Sequence, residues 1–137
     1  MKFKPSLSII QGLLFTYCTE NLHDPVKEAL ITSINVNNEQ ELKELFEKLT
    51  KPEFMKYKHE ERHWHIETLE HFLATEENFE SVFHLFDTHF NDEILEKRKF
   101  MKTLLESLLT YDKEATTIDS IRKKNISILS CFRARRQ

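Results

Sequence analysis

The chain has 137 residues, 20 Lys or Arg against 23 Asp or Glu, a formal net charge of −3, one Gly and three Pro. That length is enough for one domain with a buried core, and the composition excludes a disordered segment, a collagen-like repeat and a disulfide-dense scaffold. With Gly12 as its single glycine, the chain cannot build a glycine-rich phosphate loop or a Gly-x-Ser-x-Gly nucleophile turn.

Helix signals recur along the whole chain. A first helix is predicted over about 6–17, burying Ile9, Ile10, Leu13 and Leu14. Asp24 before Pro25 reads as an N-cap with Pro at the first helical position, and Val26, Leu30 and Ile34 then share one face. The run from Ile31 to Val36 has some β character but is read as a fraying helix end. Asn38 with Glu41 forms a capping-box pattern ahead of a Leu42, Leu45, Phe46, Leu49 stripe. Thr50 with Glu53 repeats that pattern, with Pro52 in the first turn. Thr75 is predicted to cap a further helix, with Glu76 and Glu77 at its positive end and Phe79, Val82, Phe83, Phe86 and Phe90 on its apolar face. Asn91 is predicted to cap the longest helix, burying Ile94, Leu95, Met101, Leu104, Leu105, Leu108 and Leu109. A last helix is expected over about 114–130, with Ile118, Ile121, Ile128 and Leu129 inward. The expectation is an all-α fold: a single domain over 1–131, an irregular bundle or short stack of six to seven helices with short loops, and a basic, mobile tail over 132–137.

No apolar run reaches the length of a membrane span. The N-terminal Lys2, Lys4 and Ile9–Phe15 stretch resembles a signal peptide only faintly, being short, broken by Gln11 and followed by no small-residue cleavage site. A cytoplasmic protein is therefore expected, with Cys18 and Cys131 as free thiols and the Asn125-Ile126-Ser127 sequon unused.

Charge is segregated. Residues 38–96 carry sixteen acids against six bases, whereas residues 97–137 carry eleven bases against four acids. Eleven of the acids, from Glu39 to Glu80, are predicted to line the outer faces of three consecutive helices. With Tyr57 and Trp64 as aromatic anchors, such a surface suits a basic protein partner. Glu60, Glu61, Trp64, Glu67, Glu70, Glu77 and Glu80 are the predicted contact residues. The basic end, from Lys97 to Arg136, is the alternative, nucleic-acid-binding surface. Nucleic acid is nonetheless not the expected partner, because the overall charge is negative and Phe132 is the only aromatic among the terminal cations.

One motif points to an enzyme. His59-Glu60-Glu61-Arg62-His63 matches the HExxH signature of zinc peptidases, in which two histidines one helical turn apart hold Zn²⁺ and the Glu is general base. That resemblance implies His59 and His63 as ligands and Glu60 as catalyst. The inner residues Glu61 and Arg62 are charged where the family packs its helix inside the protein, and Trp64-His65-Ile66 lacks the metzincin continuation. A third ligand is sought on the next helix, among Glu76, Glu77, Glu80 and His84. The match is read as fortuitous, on a solvent-exposed turn, so no catalytic residue, metal or cofactor is expected, with the zinc hydrolase kept as the alternative. Glu60 with His63 also makes a single Glu-x-x-His pair, where a di-iron bundle needs two. His63, His65, His71, His84 and His89 form a local histidine-rich stretch able to respond to pH near 6.

In size, helicity, acidity and lack of catalytic motifs, the chain resembles the small helical immunity proteins that neutralise bacterial nuclease toxins of bacteriocin and contact-dependent inhibition systems. That resemblance implies a cytoplasmic, stoichiometric inhibitor that binds a cognate basic toxin. It names no site residues and no oligomeric state.

Overall fold

A computed structural model describes residues 4–17, 25–84, 90 and 93–135, with side chains at all of these except 84 and 123–135. Cys18, Asp24, Phe86, His89 and Asn91, and the side chains of His84, Ile128, Leu129 and Cys131, lie outside the described residues. The order of elements is α1 (Leu7–Leu14), a 3₁₀ turn (Phe15–Tyr17), α2 (Pro25–Thr32), α3 (Glu39–Leu45), a π turn (Phe46–Thr50), α4 (Lys51–Met55), α5 (His59–Leu73), α6 (Glu80–His84) and α7 (Lys97–Arg135). Among the described residues there is no strand, and the all-α expectation holds. No helix among them is long and apolar enough to cross a membrane.

The long helix α7 is the spine. Helices α3, α4 and α5 pack against it, and α1 packs on α5 and α6. Aromatic rings fill the centre: Phe46 meets Phe100 edge-on at 5.5 Å, and Tyr17 stacks on Phe90 at 5.4 Å. Each such ring buries a large apolar area, so short helices are held by few residues.

The structure departs from the sequence reading at several points, each for a local reason. Asn38 does cap α3, its Oδ1 accepting the Glu41 N–H at 3.1 Å, but Glu41 takes the N–H of Asn35 rather than closing the box on Asn38. Thr50 starts no new helix. Its hydroxyl is buried against the Tyr17 hydroxyl at 2.6 Å, and α3 continues through the π turn into α4. Pro52 has no N–H for the helix ladder, and the wider turn, in which the Lys51 N–H reaches the Phe46 carbonyl, carries the chain past it.

Thr75 does not begin a helix either. Side chains offer the backbone a turn instead: Thr75 Oγ1 accepts the N–H of Glu77, Glu77 Oε2 that of Phe79, and Asn78 Oδ1 that of Glu80. Phe79 sits at φ 61° with its ring fully buried. The left-handed backbone costs about 1–2 kcal/mol and burial of a Phe side chain returns about 1.5–3 kcal/mol, so the turn is tolerated and α6 starts at Glu80.

The two C-terminal helices are one. Residues 53–137 contain neither Gly nor Pro, so nothing stops α7 over its 39 residues, about 58 Å at 1.5 Å per residue. It continues through the boundary expected at 131 as far as Arg135. It starts at Lys97, after a non-helical segment that Asn37 clips by donating to the Glu93 carbonyl at 2.8 Å and accepting the Leu95 N–H at 3.0 Å. Leu95 is consequently exposed rather than core, as is Val26. Ile118 and Ile121, expected inward, are also exposed, and Ala115 is the last buried residue among the described side chains of α7.

Candidate functional site

Helix α5 presents two faces. Arg62, His65, Ile66, Thr68 and Leu69 are buried at the three- and four-residue spacing of one stripe. Glu60, His63, Glu67, Glu70 and His71 stand outward on the opposite stripe. The HExxH turn is therefore only half solvent-exposed: Arg62, read from the sequence as part of an exposed charged turn, is among the most buried polar residues.

The predicted contact residues separate into two groups. Glu60, Glu67, Glu70 and Glu80 are exposed. No ion pair among the described residues reaches them. Glu61 and Glu77 are half-buried and structural. Glu61 Oε1 accepts the Lys58 N–H at 3.3 Å and so caps α5, while Glu77 Oε2 accepts the Phe79 N–H at 2.9 Å and holds the left-handed turn. Trp64 lies between core and surface. Its indole N–H donates to the Lys4 carbonyl at 2.7 Å and ties the N-terminal segment to α5.

The segregated charges are cross-linked in an unexpected sense. All four acids of residues 97–137 pair with cations of the acidic segment: Glu106 with Lys43 at 3.4 Å, Glu114 with Lys51 at 2.7 Å, and Asp112 and Asp119 with Arg62 at 3.0 and 3.7 Å. Arg98 of the basic end donates to the carbonyls of Leu73, Thr75 and Glu77, closing the negative end of α5. Half of the six cations in the acidic segment are thus turned toward α7. The Glu60, Glu67 and Glu70 carboxylates of the α5 stripe are left without an ion pair among the described residues.

At its first turn the same helix carries a second constellation. The His59 and His63 rings lie 4.2 Å apart between centroids. Asp112 Oδ2 of α7 is 3.2 Å from His63 Nε2, and Asp112 Oδ1 accepts the Arg62 Nε–H at 3.0 Å. Arg62 also donates to the Tyr57 carbonyl at 2.7 Å. One potential ligand atom from each of His59, His63 and Asp112 lies within 4.8 Å of the others. The third partner of the histidine pair is therefore Asp112, from the far end of the sequence, and not Glu76, Glu77 or Glu80 of the next segment; the fourth of those candidates, His84, has its side chain outside the described residues. His65, the next histidine, faces inward. It stacks on Tyr57 at 4.9 Å, its Nδ1–H meets the Glu61 carbonyl at 2.7 Å, and burial lowers its pKa, so it stays neutral and structural.

No protein-family model, curated protein or solved structure matches this chain. Its function has to be argued from the geometry alone. Two clefts, of about 670 and 400 Å³, lie along α7 where it meets α3 and the 93–96 segment. They are lined by Glu39, Glu96, Lys99 and Thr103, with no nucleophile paired to a base. The histidine cluster lines neither.

Sequence reasoning missed Asp112. A signal was present: Asp112 and Asp119 are two of only four acids in a strongly basic segment, seven residues apart and so on one helix face, and Arg62 is a lone cation inside an acidic motif. Unlike charges placed against the prevailing sign mark positions where two elements meet.

Proposed function

We propose that this protein is a non-catalytic binding module that docks a basic protein on the outward face of α5, with Glu60, Glu67 and Glu70 as its charged contacts and the exposed Glu80 of α6 as a further one. The reading rests on one observation: Glu60, Glu67 and Glu70 stand exposed along one face of α5 with no ion pair among the described residues, while three of the six cations of the acidic segment pair with acids of α7. A rigid helix face of one sign steers an oppositely charged partner and sets its orientation. The most specific form of the proposal follows the immunity-protein resemblance: a stoichiometric cytoplasmic inhibitor of a basic, nuclease-like toxin.

Native mass spectrometry of the protein recovered from its own cells identifies the partner and the stoichiometry. Association kinetics with that partner then test the face. Glu60→Lys, Glu67→Lys and Glu70→Lys together are expected to slow association about tenfold or more at low salt and to flatten its salt dependence. Unchanged kinetics would falsify the acidic-face assignment. The basic end of α7 is the rival surface and predicts salt-sensitive retention on nucleic acid. The triple variant leaves that surface untouched, so the two readings separate.

A further inference from the structure

We infer that His59, His63 and Asp112 form a Zn²⁺ site that pins the first turn of α5 to the middle of α7. It does not depend on the binding-module reading. Two imidazoles and one carboxylate are a donor set that Zn²⁺ takes in tetrahedral geometry, leaving its fourth position to water. The three come from two helices that already touch. Bonds of about 2.0–2.2 Å at tetrahedral angles place ligand atoms roughly 3.3–3.5 Å apart. The His63 Nε2 to Asp112 Oδ2 separation of 3.2 Å lies just short of that range. The widest separation in the cluster, within 4.8 Å, closes by rotation of the exposed His59 and His63 rings.

Asp112 is held for this role from behind. Its Oδ1 is anchored by Arg62, which is itself fixed by the Tyr57 carbonyl, so Oδ2 faces the histidines in a set orientation. Outer-shell partners of this kind orient ligating carboxylates in metal sites. The added positive charge is offset locally by Glu60 and Glu61 in the same helical turn, and by Asp119 beside Arg62. Binding exchanges the 3.2 Å contact between His63 and Asp112 for three metal bonds. It also places a cation at one end of the α5 acidic stripe.

Isothermal titration of ZnCl₂ into the full, tag-free chain, stripped of metal, tests the site, with thermal unfolding as a second readout. One Zn²⁺ per chain is expected, with a rise in melting temperature that grows with Zn²⁺ concentration. His59→Ala and His63→Ala, both at exposed positions, are each expected to weaken binding by at least the ~10- to 100-fold that loss of an outer-shell partner costs, and to abolish the melting shift. His71→Ala, an exposed histidine three turns along α5, is the control and is expected to change neither. No saturable uptake by the wild-type chain overturns the site. So does uptake that survives in the His59→Ala and His63→Ala variants, or that needs His71.

Discussion

Arg62 holds Asp112 across the seam between α5 and α7, its Nε donating to Oδ1 at 3.0 Å from a side chain only 5% exposed. A buried guanidinium is stable only while its charge is compensated. Asp112, 16% exposed, supplies most of that compensation, and Asp119, 54% exposed, stands farther off at 3.7 Å. Arg62 keeps one terminal nitrogen without a hydrogen bond, so it has little reserve.

Asp112→Asn is therefore expected to destabilise the fold by about 3 kcal/mol, the lower end of the range for breaking a buried pair. Asp119→Asn, at a longer distance and in solvent, is expected to change stability by less than about 1 kcal/mol. Urea unfolding of the two variants measures both. Equal effects would mean that Arg62 is compensated by the whole seam and not by Asp112.

Stability also separates the two kinds of acid on the predicted contact surface. Glu77→Ala removes the acceptor for the Phe79 N–H in a left-handed turn and is expected to cost about 1 kcal/mol, as loss of a capping side chain does. Glu67→Lys with Glu70→Lys is expected to stay within about 0.5 kcal/mol of wild type, since neither carboxylate holds a structural hydrogen bond among the described residues. Melting curves that rank these variants the other way round would return Glu77 to the binding surface.

Helix α7 changes character along its length. Leu108 is fully buried and Ile121 is 51% exposed. Leu108→Ala is expected to cost about 2–5 kcal/mol through lost burial and the cavity left behind. Ile121→Ala is expected to cost well under 1 kcal/mol, a surface change plus a small helix-propensity gain. Denaturant midpoints for the pair decide where the body of the protein stops supporting the helix; a large loss at Ile121 would place a packed partner there.

The buried Tyr17–Thr50 hydroxyl pair makes stability sensitive to alkali. Burial raises the Tyr17 phenol well above its ordinary value, and burial likewise raises Tyr111 to about 12. A phenol whose folded value lies above its unfolded value of about 10 contributes full stability below pH 10, and that contribution is lost as pH rises toward the folded value. Tyr17→Phe strands the Thr50 hydroxyl and is expected to cost about 1–2 kcal/mol near pH 8. The gap from wild type is expected to narrow between pH 10 and 11.5. Melting temperatures compared across that range check it, and a constant gap would mean that the Tyr17 phenol ionises as easily folded as unfolded.

The helical class was legible because its signals are local. Asn38 caps where it was expected to, Pro25 opens its helix, and the Leu42, Leu45, Phe46 stripe is buried. The errors at Thr50 and Thr75 have one origin. A Thr ahead of a Glu looks the same whether its hydroxyl caps a helix, meets a tyrosine 33 residues away or closes a turn. Ile118 and Ile121 misled for a related reason: periodicity shows which residues share a face, but not whether anything lies against that face.

Helix content, the absence of glycine-dependent chemistry and the division of charge between residues 38–96 and 97–137 follow from the order of residues alone, because backbone propensity and net charge are short-range or additive properties. The fate of each charge does not follow from it. Arg62 became a buried anchor, Glu61 became a cap, Glu77 came to hold a left-handed turn, and Asp112 joined two histidines about fifty residues upstream only when α5 was laid along α7. Packing two helices side by side brings distant side chains within bonding range while withdrawing water from them, and that combination turns a charged residue into either a structural pair or an open site.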